Sequence, residues 1–181
     1  MTNVIAPFGY TPPDEATVSV DTFRNGMAAL SSAVTIVTTD GPHGPHGFTA
    51  SAVCSVSDTP PTLLACINRT TSAHPYILEH GVLAINVLHE GQHGLSNIFS
   101  SRSRSMAERF AAGRWHTGLT GAPVLDDALV SFDCRIREIR DVGTHTVVIA
   151  HVVDVTMGND DIRSGLVWFN RQYSRAIPKE E

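Results

Sequence analysis

Between residues 33 and 67, three runs rich in β-branched side chains, AVTIVTT (33–39), FTASAVCSV (48–56) and TLLACI (62–67), are separated only by DGPHGPHG and SDTPPT. Clusters of Gly, Pro and Asp are turn chemistry, whereas a parallel crossover needs a dozen or more residues, usually a helix. Strands joined this tightly run antiparallel. The signature continues in VLAINVL (82–88), THTVVIAHVVDV (144–155) and LVWFN (166–170). In between, Val130, Phe132, Cys134 and Ile136 alternate with Ser131, Asp133, Arg135 and Arg137, which predicts a half-buried strand. Six or seven such strands predict a mainly β fold, an antiparallel barrel with appended short helices.

The helices are few. Phe23, Met27 and Leu30 recur at i, i+4 and i+7 behind Ser19 and Asp21, predicting a helix that starts there and packs one face on the core. Residues 72–80, ending at Gly81, and residues 91–100 predict two more, the second followed by a Ser/Arg-rich loop. The first 18 residues, with Pro7, Pro12 and Pro13, read as an arm ahead of a single domain over 19–181.

Composition narrows the function classes. Of 181 residues, 42% are hydrophobic and 17% charged, enough apolar content for one packed core. A net charge of −5, with no basic run beyond SRSR (101–104), argues against nucleic acid as a partner. No stretch reaches the ~18 apolar residues that span a bilayer, so no membrane partner is expected. Cys54, Cys66 and Cys134 are far apart and each lies in an apolar segment, which predicts buried free thiols and a reducing, cytoplasmic setting.

Residues 89–93 read HEGQH, matching the H-E-x-x-H zinc signature. That chemistry needs both imidazoles on one face of a continuous helix with a third ligand nearby. Here a strand pattern precedes His89, Gly91 falls inside the required turn, and His116, His145 and His151 are isolated. We read a strand end turning into a helix, with no metal. Glu90 then lies near a helix start, where a carboxylate is favoured.

Other segments carry better chemistry. HGFTASAVCSVS (46–57), read as one strand, has almost only small side chains, so a flat aromatic ligand can lie against its backbone; small residues equally suit a tight barrel interior. NRTTSAHP (68–75) opens a helix that Thr71 or Ser72 can cap, and with Arg69 it makes an anion site or simply a capped helix start. FSSRSRSMAERF (99–110) brings Arg102, Arg104 and Arg109 together with hydroxyls, either a phosphate clamp or a solvated basic turn.

In order along the chain, F-x-x-x-M (23–27), AVTIVTT, HGFTASAVCSVSDTPPTLLACINRTTS, F-S followed by E-R-F, GAPVL (121–125), T-H-T-V-V and F-N-R-Q-Y resemble the short-chain flavin reductase family. The resemblance covers about residues 23–173. It implies a Greek-key split β-barrel, a homodimer, FMN or FAD as flavin, NADH or NADPH as reductant, and reduced flavin passed to a partner monooxygenase. By the same resemblance, Thr49, Ala50, Ser51, Ala52, Val53, Cys54 and Ser55 run beside the isoalloxazine and ribityl chain. Asn68, Ser72 and Arg104 hold the phosphate, Phe99 and Ser100 flank the ribityl end, His145 meets the nicotinamide, and Phe169, Asn170 and Tyr173 close the pocket. Where the family often has G-D-S-H, this chain has Val142, Gly143, Thr144 and His145. Two other outcomes share the same flavin site: reduction of another acceptor such as a corrinoid, and flavin binding without catalysis.

Overall fold

The computed structural model describes residues 16–159 and 164–178; the expected arm, residues 1–18, lies mostly outside them. The tight turns do produce antiparallel pairing. One sheet contains β2 (Thr35–Thr39), β3 (His46–Ala50), β4 (Val53–Asp58), β5 (Pro61–Asn68), β6 (Val82–Val87), β9 (Val130–Val142) and β10 (His145–Met157). Its order is β3-β2-β6-β9-β10-β5-β4, antiparallel at every pair. A three-stranded sheet joins β1 (Ser32–Ala33), β11 (Gly165–Phe169) and β12 (Gln172–Ala176), and a hairpin pairs β7 (Trp115–Thr117) with β8 (Pro123–Leu125).

β3 and β4 stand on opposite edges of the large sheet, yet only Ser51 and Ala52 separate them. Three Cα steps span at most ~11 Å, so the edges must approach one another and the sheet curls into a split barrel. Among the described residues the ladder stays open at this seam. The expected single strand over 48–56 is therefore two strands with a corner, the residues up to Ala50 pairing with β2 on one edge and those from Val53 pairing with β5 on the other. At the corner the Cys66 N–H donates to the Ala52 carbonyl at 2.9 Å.

Inside the curl, Val37, Leu63, Ile67, Leu83, Ile85 and Val148 form the main core, with Ile77 of α2 (His74–His80) packed on it. α2 stops at Gly81, whose φ of 68° is the left-handed conformation that glycine adopts without strain. A second cluster joins Val34, Ile36, Leu88 and Leu166 to Phe99 of α3 (His93–Ser100). There Phe99, Phe110 and Trp115 pack with ring centroids 5.1 to 5.4 Å apart, Phe110 coming from α4 (Met106–Ala111).

Three expectations are corrected. α1 (Val20–Ala28) begins at the Ser19 cap but buries nothing: Phe23, Met27 and Leu30 are 58%, 46% and 56% exposed. It is tied down at its polar C-terminal end, where Asn170 N–H reaches Ala28 O at 2.7 Å and Arg171 reaches Asn25 at 2.6 Å, so its apolar stripe faces away. Of the three thiols only Cys134 is buried, and its pKa is pushed up to about 12 by desolvation and then by Asp133. Cys54 is exposed because β4 is an edge strand, and Cys66 is half-buried. Finally, the polar side of β9 is not all solvated, since Ser131 and Asp133 are both buried. Ser131 donates to Asn86 at 2.8 Å, and Asp133 accepts from the Thr120 N–H at 2.7 Å. The β7–β8 loop covers that face.

Candidate functional site

β5 ends at Asn68, whose side-chain oxygen accepts both the N–H and the hydroxyl of Thr70 at 2.9 Å. This turn, with Thr71 N–H on the Asn68 carbonyl at 2.9 Å, folds residues 68–72 around a cavity of about 400 Å³. Its wall comprises Asn68, Thr70, Thr71 and Ser72, with Thr49 and Phe48 from β3, Phe99 and Ser100 from α3, Arg102 from the loop beyond and Arg109 from α4. Neither Thr71 nor Ser72 caps α2. The cap is Ala73 without a side-chain bond, because the turn to the helix is closed by His74 N–H on the Thr71 carbonyl.

A second cavity, about 290 Å³, shares Thr49 and Ser100 with the first. Val34, Ala50, Ser51, Ser96, Asn97, Trp168 and Tyr173 complete it. The two spaces are adjacent at these shared residues, the first lined mainly by polar groups and the second flanked by aromatics. Their walls are held internally: Thr49 donates to the Ser96 carbonyl at 2.7 Å, and the Tyr173 hydroxyl lies 3.0 Å from Ser96 Oγ and 2.8 Å from Asn97 Oδ1. Trp168 and Tyr173 face each other across β11 and β12 in T-shaped contact, centroids 5.1 Å apart.

The three arginines of the loop have three different fates. Arg109 is 6% exposed and its guanidinium donates to the carbonyls of Gly47, Phe99, Ser101 and Arg104 at 2.7 to 3.3 Å. It is a structural staple between α3, α4 and β3, and burial lowers its pKa. Arg104 pairs with Glu108 at 3.0 Å, one turn away, and lines neither cavity. That arrangement follows from the capping box at α4, where Ser105 and Glu108 bond reciprocally. Bonds from Ser105, backbone first, and then from Arg104 hold the Glu108 carboxyl well down, to about 2. Arg102 is the arginine left exposed on the polar cavity.

The other anticipated residues divide similarly. Thr49, Ala50, Ser51, Asn68, Ser72, Phe99, Ser100 and Tyr173 all line one or both of the adjacent cavities. Val53, Cys54 and Ser55 instead line a separate apolar cavity with Leu63, Phe132 and Val152, because the corner at residues 51–52 turns them to the other side of the seam. Ala52 lines none of the three. Phe169 and Asn170 also stay outside; successive strand residues face opposite ways, and Trp168 takes the inward position. Asn170 instead occupies the β11–β12 turn with a φ of 48°. Trp168, Ser96 and Asn97 were not singled out in the sequence, although the alternation in LVWFN allows either Trp168 or Phe169 to face a ligand. His145 begins β10 directly opposite Asn68, with its Nδ1 2.9 Å from the Thr144 hydroxyl.

The HEGQH segment is a junction. His89 caps a 3-10 turn, Glu90–Gln92, through Gly91 N–H on its Nδ1 at 3.1 Å, while His93 opens α3 beside Tyr173. Glu90 is bonded by Ser164 and then by Arg175, which hold its carboxyl below the usual range.

Residues 27–176 match the family described as the flavin reductase like domain. The FMN reductase (NADH) RutF of Enterobacter sp. (strain 638) is 52% identical over 158 residues, 87% of this chain and 94% of the relative. Among solved structures, nitrilotriacetate monooxygenase component B from Mycobacterium thermoresistibile superposes with a TM-score of 0.82 at 28% identity, covering 89% of this chain and 88% of that one. The Streptomyces globisporus NADH:FAD oxidoreductase SgcE6, in complex with NAD and FAD fragments, gives 0.80 at 26% identity over 89% and 94%.

Proposed function

The chain belongs to the flavin reductase like family, and from that premise we propose that it reduces FMN with NADH. The observation that carries the reading is a polar cavity beside a second one flanked by aromatics, with Thr49 and Ser100 lining both. Each part is of ligand size, on the scale of the ~300–1,000 Å³ typical of small-molecule sites. Asn68, Ser72 and Arg102 would hold the phosphate. Donors cluster there, and with Asn68 Oδ1 committed to Thr70 its amide nitrogen is the group that remains to donate. Thr49 and Ser100 would accompany the ribityl chain. Ala50 and Ser51 are small enough to let a flat ring approach the main chain, with Trp168 and Tyr173 across from it.

When both are bound, the nicotinamide supplies hydride from C4 to flavin N5, so the chain needs no nucleophile of its own. What its residues would do is orient the two rings; His145 lines neither cavity, and its register opposite Asn68 supports a role toward the dinucleotide. FAD in place of FMN and NADPH in place of NADH are finer alternatives for the same site. The relative that is a monooxygenase component supports delivery of reduced flavin to such a partner. The bare apolar stripe of α1, fastened beside the Phe169–Asn170 turn, supports a second copy as its cover.

The test is an absorption spectrum of the purified protein, followed by NADH oxidation under air with and without added FMN or FAD. Oxidation that depends on free FMN supports the reading. Absence of both flavin binding and NADH oxidation overturns it, as does flavin binding with no turnover. Turnover that needs a different acceptor, such as a corrinoid, replaces it.

A further inference from the structure

Asp141 lies next to the hairpin tip at the end of β9 and lines neither of the adjacent cavities. Its carboxylate nevertheless connects two segments that do serve the site. Thr146, 1% exposed and adjacent to His145, donates its hydroxyl hydrogen to Asp141 Oδ1 at 2.6 Å. A threonine has one such hydrogen, so the 2.9 Å contact between Thr146 Oγ1 and His74 Nε2 must carry the imidazole's hydrogen. His74 is the first residue of α2, immediately after the cavity-lining loop. On its other side, Asp141 Oδ2 faces Arg69 at 3.9 Å, and the Arg69 N–H donates to the Thr144 carbonyl at 3.0 Å. Arg69 follows Asn68, the residue paired with His145.

The chain His74, Thr146, Asp141, Arg69 thus starts and ends on the loop that would hold the phosphate, and passes through the hairpin that carries His145. We propose that Asp141 is a positioning residue that fixes His145 relative to residues 68–74, and so sets where the nicotinamide dinucleotide rests over the flavin. This rests on the reading of the site given above. The exposed Arg69 contact contributes little by itself, being half-solvated at both ends. The buried Thr146 hydroxyl is different, since without Asp141 its hydrogen has only His74 Nε2 to turn to, which requires the imidazole to give up the hydrogen on that nitrogen and rearranges the base of the hairpin.

The experiment measures kcat/KM for NADH at saturating FMN, and FMN affinity by flavin fluorescence, in the full chain. Asp141→Ala is expected to lower kcat/KM for NADH about tenfold, the scale of a small misplacement of reacting groups. FMN affinity stays within about twofold, because the loop is still held by its own Asn68 bonds. Asp141→Asn retains an acceptor oxygen for Thr146 and stays within about twofold of the parent in both quantities. Thr146→Val keeps the shape, removes the hydroxyl and matches Asp141→Ala; the double variant is no worse than either single one, because both cut the same link. The proposal is overturned if Asp141→Ala leaves NADH kinetics unchanged, if Asp141→Asn is as damaged as Asp141→Ala, or if the two lesions add. Parallel loss of FMN affinity overturns it too, by making Asp141 a general structural prop. His145→Ala separates the layers: if it leaves NADH kinetics intact, the premise about His145 fails along with the proposal, whereas a defect there with a normal Asp141→Ala refutes the proposal alone.

Discussion

Asn86 and Asn68 both stand beside Ser and Thr hydroxyls, and they differ in what completes them. Asn86 has no exposed surface; its amide donates to Ile36 O and Thr38 Oγ1 at 3.0 and 3.2 Å, and its oxygen accepts from Leu125 N–H and Ser131 Oγ at 2.8 Å. Every valence is met inside the protein, so the group ties β2, β6, β8 and β9 together and has nothing to offer a ligand. Around Asn68 the hydroxyls of Thr71 and Ser72 and the Arg102 side chain surround open space, while the Thr70 hydroxyl is taken by Asn68 itself. Arg109 and Arg102 repeat the contrast seven residues apart, one buried with four of its five N–H groups on carbonyls and one exposed at the cavity wall. A buried polar group that the protein saturates is architecture, whereas polar groups gathered around a cavity are available for recognition.

The hardest test of this division is Arg109→Leu. It strands four carbonyls and should cost about 4 kcal/mol of stability, read by urea unfolding, with flavin binding lost because Phe99 and Ser100 lose their anchor. A stable Arg109→Leu protein that merely binds flavin less well would put Arg109 on the recognition side. Asn86→Leu comes next, at about 3 kcal/mol, since the Leu125 N–H and Ile36 carbonyl lose their partners in a dry core. Flavin affinity of its folded fraction should be unchanged.

On the cavity side, Ser72→Ala combined with Arg102→Ala should weaken FMN about thirtyfold while riboflavin, which has no phosphate, moves by about twofold or less. Stability should stay within about 0.5 kcal/mol of the parent. Equal weakening of both flavins would remove the phosphate from this end. The smallest effect concerns Arg104 and Glu108. Arg104→Ala should leave FMN affinity within about twofold, as expected for an exposed ion pair. The Glu108 carboxyl is depressed from 4.5 to about 2, so its contribution to α4 is complete above pH 4.5 and fades as the pH falls toward 2. A melting-temperature profile of Glu108→Gln should be flatter than the parent's over that interval, and a Glu108→Gln profile as steep as the parent's would assign the acid loss to other carboxylates.

Much of the fold could be read from residue order. Gly81 ends α2, Ser19 caps α1, and the strand runs lie where their β-branched residues are. Most of the cavity wall was legible too: Thr49, Asn68, Ser72, Phe99, Ser100 and Tyr173 fall in the motifs that resemble the family. What stayed hidden was choice among near-equivalents. SRSRSMAERF offers three arginines of equal local character, and only the capping box at Ser105 and the carbonyls of Gly47 and Phe99 separate them. Trp168 and Phe169 are adjacent and both aromatic, and the pairing of β11 with β12 decides which one turns inward. The apolar stripe of α1 satisfies every local criterion for a core-facing helix and still faces away.

The sequence by itself determined the antiparallel class, the places where strands and helices stop, and the small-residue and hydroxyl-rich segments available for a site. These follow from interactions between close neighbours: turn chemistry, caps and side-chain periodicity. The tertiary structure alone decided that residues 51–52 form a corner joining two edges of one sheet, that Arg102 rather than Arg104 meets the cavity, and that His145 stands opposite Asn68. Such outcomes depend on long-range strand register. Shifting a strand by a single residue exchanges the faces of all its side chains without altering a local preference.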